Sequence, residues 1–487
     1  MSSQTSKGRI RPAIALAIVF VLAAAVVVAI AARERSSSRT STGGATSERT
    51  AKPNLLFILT DDQRWDTMDV MPNTRRLFNV NFDQAIVTTP LCCPSRSSFL
   101  TGRYASNTRV LTNLDYPAFK ASEPDSLGPW LQANGYYTGF VGKYFNHYTV
   151  NDPVPPGWDE FYARVWGARG LDISNRTRRY LRGKWVDGST PRNRILVYPN
   201  AADPRTPYWT TIFSDLAVRF IRRAADERYN PEQKPWALFV WPNAPNITLA
   251  EPKFLRRPVP PWNVPPSFAE DDMSDKPAEV RFGPNRAYSP GFHRVKRAKQ
   301  YRVLRSVDAM VGRLFRTLDE TKMRSRTRAI YSSDNGRLYG EHGLSKKLYG
   351  YEEGVRIPLF MFVPGTERTT IPHQVANIDV APTLLELAGD RSDHAVDGRS
   401  LLPLITGRLV KWRKAVLLQN WAHLRYEGVR TERWKLIRWT ESGHLELYDL
   451  ERDPYELENL SERRASTLAS MLQLLMRLNR RSREPAA

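Results

Sequence analysis

Two segments of the chain have the pattern of a strand that ends in acidic or amide side chains. Residues 53–63 read PNLLFILTDDQ, and residues 329–336 read AIYSSDNG. The continuous apolar run in the first segment predicts a buried strand of a parallel sheet, and the second segment repeats the junction between a strand and a polar loop. Ligand sites in open α/β sheets lie at the carboxyl edge of such strands, so a site is expected there. The polar residues that end the two runs are Asp61, Asp62, Asp334 and Asn335.

These four side chains favour a particular kind of ligand. Three carboxylates and one amide oxygen suit a hard cation such as Ca²⁺ or Mg²⁺, whereas zinc prefers histidine and cysteine. Taken alone, the adjacent Asp61 and Asp62 are also compatible with capping of a following helix. The repeated pattern at residues 329–336 favours the metal site.

The chain has two cysteines, Cys92 and Cys93, and they are adjacent. Neighbouring Cα atoms across a trans peptide lie about 3.8 Å apart, below the usual disulfide range of about 4.4–6.8 Å. A disulfide between them is therefore not expected. This holds even though the N-terminal segment described below indicates export, and exported proteins normally pair their cysteines. Two buried, inert thiols are one interpretation of the pair. The surrounding residues favour a functional one.

Those residues resemble the modification motif of the type I sulfatases, C-x-P-S-R followed by L-T-G-R. Residues 89–103 read TPLCCPSRSSFLTGR and match the motif at every spacing. The resemblance implies that a formylglycine-generating enzyme oxidises Cys92 to Cα-formylglycine, with Cys93 as the variable residue. It also implies that Arg96 holds the diol or alkoxide form of this nucleophile. A buried structural ion pair is the alternative role of Arg96.

The resemblance extends over about residues 52–460. Residues 135–146, GYYTGFVGKYFN, place the family's first active-site lysine at Lys143. Residues 340–354 read GEHGLSKKLYGYEEG, and counting back from YEEG places the second lysine at Lys347. A solvated lysine pair is the alternative interpretation of SKK. The GKYxN and PLCCPSR forms resemble the N-acetylglucosamine-6-sulfatase and heparan endosulfatase branch.

In this family the two strand ends hold a metal, usually calcium. The resemblance therefore implies a Ca²⁺ site, with Mg²⁺ as the alternative. Its ligands would be Asp61, Asp62, Asp334, Asn335 and the formylglycine oxygen at Cys92. Lys143 and Lys347 would bind the oxygens of the sulfate group as point charges.

One position departs from the family. Sulfatases usually end an A-P-H segment with a histidine that contacts sulfate and helps protonate the leaving group, but residues 244–246 read APN. The amide of Asn246 can hydrogen-bond a sulfate oxygen, yet it cannot give up a proton at neutral pH. His147 and His342 are candidates to replace the missing acid, although each alone is more typical of a structural histidine. Without a replacement, we expect low activity or a preference for activated leaving groups.

The implied fold is α/β, an alkaline-phosphatase-like sandwich with a central, mostly parallel sheet and a small C-terminal antiparallel-sheet subdomain. We expect a catalytic domain over residues 52–405 and the C-terminal subdomain over residues 406–487. Periodicity and turn signals predict helices at residues 208–227, 294–321 and 466–481, and a hairpin at residues 434–450.

The N-terminal region predicts export. Residues 12–32 form an uninterrupted apolar segment of about bilayer-spanning length, preceded by basic residues. We interpret residues 1–33 as a transmembrane anchor or, alternatively, a cleaved signal segment, and residues 34–51 as a flexible tether. The catalytic domain would then lie outside the cell membrane, either anchored to it or secreted.

The net charge of +22 at pH 7 is spread along the chain. It indicates either a solvated basic surface or a field that gathers polyanions such as sulfated polysaccharide. Nucleic acid is not an expected partner, because we find no nucleic-acid-binding motif and the chain carries an export segment.

The sequence thus supports three functional hypotheses. The first is a calcium-dependent, formylglycine-type sulfatase acting on sulfated carbohydrate. The second is a phosphomonoester or phosphonate-ester hydrolase of the same superfamily, since such charge-neutralising sites are promiscuous. The third is a surface protein that binds sulfated glycans without turnover. Asn246 favours the third hypothesis, and the complete motif at Cys92 argues against it.

Overall fold

A computed structural model describes residues 52–149, 151–166, 173–181, 184–188, 208–246, 250–283, 289–408 and 410–482. The described residues do not include the predicted anchor or signal segment, residues 1–33, or the predicted tether, residues 34–51. Among the residues that are described, no helix combines the length and the apolarity needed to span a bilayer.

Strands form the centre of the structure. In chain order, the described strands are β1 (Asn54–Thr60), β2 (Val80–Ile86), β3 (Tyr137–Lys143), β4 (Glu160–Arg164), β5 (Ile173–Leu181), β6 (Lys184–Gly188), β7 (Trp236–Trp241), β8 (Thr327–Ser333), β9 (Leu338–Tyr339), β10 (Ser345–Lys346), β11 (Leu359–Phe362), β12 (Thr369–Ala376), β13 (Ala415–Asn420), β14 (Tyr426–Thr431), β15 (Trp434–Trp439) and β16 (Leu445–Asp449). Within the described ranges, ten of them form one sheet in the order β12–β2–β11–β8–β1–β7–β3–β4–β5–β6.

The direction of the strands confirms the predicted mostly parallel sheet. Strands β8, β1, β7, β3 and β4 are parallel neighbours, and β12 is parallel to β2. Strand β11 is antiparallel to both β2 and β8, and β5 and β6 continue the sheet as an antiparallel pair beyond β4.

Helices cover both faces of this sheet. The described α-helices are α1 (Pro72–Leu77), α2 (Cys92–Thr101), α3 (Ala105–Thr108), α4 (Tyr116–Ser122), α5 (Leu127–Ala133), α6 (Trp209–Ala225), α7 (Pro252–Leu255), α8 (Ala278–Arg281), α9 (Pro290–Glu320), α10 (Glu352–Val355), α11 (Val380–Ala388), α12 (Leu402–Ile405) and α13 (Ala465–Arg481). Short 3₁₀ helices span Trp65–Val70, Glu123–Asp125, Arg324–Arg326 and Asn377–Asp379. The helices predicted at residues 208–227, 294–321 and 466–481 are confirmed as α6, α9 and α13.

The sandwich follows from how the side chains of β1 alternate. Strand β1 lies between β7 and β8, and all of its residues are buried. Leu55 and Phe57 pack in a core with residues of α2, α5 and α11. Leu56 and Ile58 pack on the opposite face, in a core with residues of α6 and α9. An uninterrupted apolar run is therefore the signature of a strand covered on both sides.

The C-terminal antiparallel sheet consists of β13, β14, β15 and β16, in that order. The predicted hairpin is confirmed as β15 and β16. Residues of α13 pack on one face of this sheet in a small apolar core. Buried Lys435 of β15 lies 2.8 Å from Glu352 of α10, so an ion pair joins this sheet to the short helix that precedes β11. The domain boundary at residue 405 stays a prediction.

Candidate active site

The two predicted acidic strand ends meet at the carboxyl edge of the central sheet. Thr60 of β1 is the register partner of Ser333 of β8, so the residues that follow them emerge side by side. The backbone N–H of Asp62 donates to Asp334 Oδ1 over 3.0 Å. Asp62 has a φ of 62°, a left-handed conformation that is uncommon outside glycine and often marks a functional position.

Cys92 reaches this edge from the first turn of α2, on one face of the sheet. Its side chain is 2% exposed, and its Sγ lies 3.5 Å from Asp61 Oδ1. The N-terminus of a helix carries a partial positive charge, which favours negative charge near the side chain of residue 92. Burial, followed by the charges of Asp334 and Asp61, raises the pKa of the Cys92 thiol, so this thiol is neutral.

Arg96 lies one helical turn after Cys92 and is fully buried. Its Nε donates to Asp334 Oδ2 over 2.9 Å, and its Nη1 donates to the carbonyl oxygen of Lys143 over 2.6 Å. Its guanidinium carbon also lies 5.4 Å from the ring centroid of Trp241. Arg96 therefore links α2 to the ends of β3, β7 and β8, next to the carboxylates.

Both predicted lysines contact the Cys92 sulfur. Lys143, the last residue of β3, places its Nζ 3.2 Å from Cys92 Sγ and 2.6 Å from Asp61 Oδ2. Lys347 places its Nζ 2.7 Å from the same sulfur and 2.5 Å from Asp62 Oδ1. The side chain of the neighbouring Lys346 is exposed. Lys347, the lysine predicted by counting back from YEEG, is therefore the one that faces the site.

The donor set at this edge fits a hard cation. One ligand atom each from Asp61, Asp62, Cys92 and Asp334 lies within 4.8 Å of the others, and all four residues are buried. Burial alone would favour a neutral Asp61, but Lys143, Arg96 and Lys347 outweigh it and lower the pKa of this carboxyl. Burial and the nearby charge of Asp61 raise the pKa of Asp334.

Asn335 completes the predicted set. Its Nδ2 donates to Asp62 Oδ1 over 2.7 Å, and its Oδ1 accepts from Lys347 Nζ over 3.4 Å. Oxygen donors on buried carboxylates and an amide are the chemistry that Ca²⁺ and Mg²⁺ require. Asp61, Asp62, Asp334 and Asn335, with the side chain at residue 92, are the residues that would hold such an ion.

Asn246 lies at the same site, as its motif position predicted. It follows the end of β7, and its Nδ2 donates to Asp61 Oδ1 over 3.1 Å. Its Oδ1 accepts from Arg337 Nη1 over 3.4 Å. The structure therefore places an amide at a position where the family usually has a histidine.

Arg337 is a site residue that the sequence interpretation missed. Its Nη1 lies 2.7 Å from Asp62 Oδ2, and its contact with Asn246 links the ends of β1, β7 and β8. Burial disfavours the guanidinium, but Tyr339 and Asp62 outweigh this effect and raise its pKa. The local signal for it in the sequence is its position three residues after Asp334, in the same loop, and this position alone does not specify a role.

The two histidines proposed as substitute acids have other contacts. His147 packs its ring 4.8 Å from that of Trp166. His342 is fully buried, hydrogen-bonds Glu270 through Nδ1 over 3.1 Å and stacks on Tyr351 at 4.0 Å. Burial opposes its protonation, but Glu270 and Glu353 outweigh burial and raise the pKa of His342. Among the described contacts, neither histidine touches Cys92 or the two lysines.

Cys93 points away from the carboxylates. Its Sγ accepts from the backbone N–H of Asn146 over 3.3 Å, and burial raises the pKa of its thiol to about 11. Cys92 and Cys93 are not bonded to each other, as the length of the peptide unit predicted.

Two family models match the chain, and relatives are similar to it over most of its length. The sulfatase family model matches residues 53–390, and the model for the C-terminal part of N-sulphoglucosamine sulphohydrolase matches residues 340–483. The extracellular sulfatase SULF-1 homolog of Drosophila melanogaster is 32% identical over 390 residues, which are 76% of this chain and 33% of that protein. The N-acetylglucosamine-6-sulfatase of Homo sapiens is 28% identical over 411 residues, 76% of this chain and 67% of that protein. The chain therefore spans about a third of the length of the fly relative.

The fold has a close counterpart among solved structures. A protein in complex with its substrate D-glucosamine-2-N,6-O-disulfate superposes with a TM-score of 0.68 at 21% identity, over 89% of this chain and 98% of that one. This likeness supports the sandwich fold. Because a family model matches more than half of the sequence, including the strands and the helix that bring Asp61, Cys92 and Asp334 together, the chain belongs to the sulfatase family.

Proposed function

We propose that this chain hydrolyses sulfate monoesters of carbohydrate, with residue 92 as the nucleophile after its conversion to formylglycine and with a bound divalent cation. The observation that carries the proposal is the pair of lysine nitrogens at Cys92. Lys143 Nζ and Lys347 Nζ lie 3.2 and 2.7 Å from its Sγ, the position from which a nucleophile on residue 92 would attack.

The charges of the site suit an anionic substrate. The side chains of Arg96, Lys143, Lys347 and Arg337 carry positive charge against the three carboxylates of Asp61, Asp62 and Asp334. A divalent cation would add two further positive charges. Fixed positive charge in a buried site stabilises the charge that develops on sulfate oxygens during transfer, because little solvent screens it.

Residue 92 would supply covalent catalysis. The hydrated aldehyde carries two hydroxyl groups on one carbon, and the oxygen of one attacks sulfur while the bond between sulfur and the sugar oxygen breaks. Loss of the proton from the second hydroxyl then re-forms the aldehyde and breaks the bond between carbon and the sulfated oxygen, which releases sulfate. Arg96 would hold the attacking group in place. A bound cation would lower the pKa of the attacking hydroxyl.

Protonation of the leaving alcohol is the step that the site supports least. Asn246 and Arg337 face the site and donate hydrogen bonds, but neither is an acid at neutral pH. They would stabilise sulfate or the leaving oxygen as it gains negative charge, without transferring a proton. Aryl sulfates, whose leaving groups need little protonation, should therefore be the better substrates.

Carbohydrate is the substrate class favoured by the relatives. The curated relatives include an N-acetylglucosamine-6-sulfatase and an extracellular sulfatase. The likeness to an extracellular sulfatase supports a location outside the cytoplasm, to which the proposed anchor or signal segment would deliver the chain. Maturation by a formylglycine-generating enzyme, a role outside the cytoplasm and membrane attachment through residues 1–33 are parts of the proposal.

The direct test compares 4-nitrophenyl sulfate with 4-nitrophenyl phosphate as substrates of the full chain, produced together with a formylglycine-generating enzyme. We expect faster turnover of the sulfate ester, and loss of that turnover in Cys92→Ala but not in Cys93→Ala. Preference for the phosphate ester would favour the phosphomonoester hydrolase. Binding of heparan sulfate without any ester hydrolysis would favour a non-catalytic protein that binds sulfated glycans. The observation that supports this alternative is the amide of Asn246 at the site.

A further inference from the structure

A second basic residue, Arg164, lies beside Lys143 at the carboxyl edge of the sheet. Strands β3 and β4 are parallel neighbours, and Lys143 and Arg164, their last residues, are register partners. Adjacent strands lie about 4.8 Å apart, so the two basic residues stand side by side on the same face of the sheet.

Arg164 differs from the buried arginines of the chain because it lacks an acidic partner among the described residues. Its guanidinium makes a cation–π contact with the ring of Trp209, 5.5 Å from the ring centroid. Burial lowers the pKa of Arg164, and the charge of Asp61 offsets only part of this effect. By contrast, the arginines that are buried in the described part of the chain form the ion pairs Arg64–Asp66, Arg96–Asp334, Arg297–Asp66 and Arg430–Glu352.

An exposed aromatic ring adjoins this arginine. Trp166 lies two residues after Arg164, just beyond the end of β4, and Val165 between them packs into the core. Trp166 is 43% exposed, and its ring lies 4.8 Å from that of His147, in the loop after β3. An exposed aromatic face next to a half-buried cation is suited to a sugar that carries a negative charge.

We propose that Arg164 and Trp166 form a subsite for a second anionic group on the substrate, next to the sulfate that is bound at Lys143. Arg164 would pair with that anion, either a second sulfate or a uronic-acid carboxylate, and Trp166 would pack against the sugar ring. The guanidinium matches the two oxygens of either group with parallel hydrogen bonds. This inference rests on the proposed function and assigns a substrate class, a carbohydrate with at least two negative groups.

The test compares three sugars as substrates of the wild type and of Arg164→Gln. They are glucosamine 6-sulfate, glucosamine 2-N,6-O-disulfate, and a glucuronic-acid-linked glucosamine 6-sulfate. We expect Arg164→Gln to raise the KM of one doubly charged sugar about 10- to 100-fold more than that of the monosulfate, which corresponds to losing a charge-assisted pair. The sugar that responds identifies the second anion as sulfate or carboxylate. Arg164→Lys should restore part of the difference, because it keeps the charge but not the paired geometry.

Arg219→Gln is the matched control. Arg219 makes a similar cation–π contact with Tyr162 of the same strand, at 5.2 Å, but lies back from the edge of the sheet on α6. An equal rise in KM for all three sugars in Arg164→Gln, or the same selective rise in Arg219→Gln, would overturn the proposal. Melting temperatures of the variants show whether each is folded. If Arg164→Gln is not folded, the KM values of Arg164→Lys for the three sugars are compared with those of the wild type instead.

Calorimetric titration of Cys92→Ser with the disulfate separates this inference from the proposed function. Arg164-dependent binding together with a wild type that hydrolyses none of the sugars would contradict the proposed function and keep the subsite. Hydrolysis of the monosulfate with no dependence on Arg164 in either titration or kinetics would keep the function and overturn the subsite.

Discussion

The Nζ atom of Lys347 lies 2.7 Å from the Sγ atom of Cys92, whereas the side chain of its neighbour Lys346 is exposed. Lys347→Gln removes a cation from the place where sulfate oxygens are proposed to bind. We expect kcat/KM for 4-nitrophenyl sulfate to fall by about 10²–10³-fold. Lys346→Gln is the control and should retain wild-type activity. Equal losses in the two variants would contradict the assignment of the second lysine to residue 347.

Removal of the cation should affect both activity and stability. Without a counter-ion, the buried carboxylates of Asp61, Asp62 and Asp334 repel one another more strongly. We expect dialysis against a chelator to abolish turnover and lower the melting temperature, and added Ca²⁺ to restore both. Asp62→Asn should lose this response, while Asp69→Asn, at a side chain that is 72% exposed, should keep it. A chelated wild type with unchanged activity and melting temperature would refute the metal site.

Asn246→His should change how the rate depends on the leaving group. The wild type is expected to lose activity steeply as the leaving alcohol becomes more basic, because the amide that contacts Asp61 cannot supply a proton. The histidine should flatten this dependence, with gains of up to about 10²–10⁴-fold on sugar sulfates. Asn246→Ala, which lacks both amide and acid, is the control. Wild-type rates that do not depend on the leaving group, with no gain in Asn246→His, would indicate another acid.

Glu123 should make the stability of the fold depend on pH. It is buried and accepts hydrogen bonds from Tyr116 and Tyr144 over 3.1 and 3.2 Å. Burial raises the pKa of Glu123 from 4.5 to about 7. The neutral form of Glu123 therefore stabilises the fold fully below pH 4.5, and this stabilisation is lost as the pH rises through about 7.

Glu123→Gln removes this titration and keeps an oxygen that accepts hydrogen bonds. Across the same pH window, the free energy of unfolding of the wild type should fall by up to about 3 kcal/mol relative to the variant. Urea unfolding at both ends of the window measures the difference, with the exposed Glu227→Gln as control. Parallel pH profiles for wild type and Glu123→Gln would show that Glu123 does not titrate there.

Local sequence patterns predicted the parts of the site that depend on one strand or one motif. The apolar run of β1 followed by Asp61 and Asp62 is sufficient to predict a buried strand with acids at its edge, because burial on both faces leaves no polar position. The motif around Cys92 singled out residue 92 rather than residue 93, and Cys92 is the cysteine that lies 3.5 Å from Asp61. Register within the loop selected Lys347 over Lys346.

The residues that local patterns did not predict depend on contacts between distant segments. Arg337 is an isolated arginine in a loop, and its role follows from the way β1 and β7 bring Asp62 and Asn246 to it. Arg164 gains its position from the parallel pairing of β4 with β3, which no local pattern specifies. The GEHGL motif made His342 a candidate for the missing acid, but in the fold this histidine is buried and hydrogen-bonds Glu270. Pairing register and burial of this kind are set by the whole chain.

Peptide mapping by mass spectrometry tests the central proposal most directly. The protein is produced with a formylglycine-generating enzyme, and the peptide that spans residues 89–103 is analysed together with turnover of 4-nitrophenyl sulfate. We predict an aldehyde at residue 92, an intact thiol at residue 93, and a turnover rate that rises in proportion to the fraction of aldehyde. Full turnover by protein whose residue 92 is still a cysteine, or an aldehyde at residue 93 instead, would contradict the role of residue 92 as the formylglycine nucleophile.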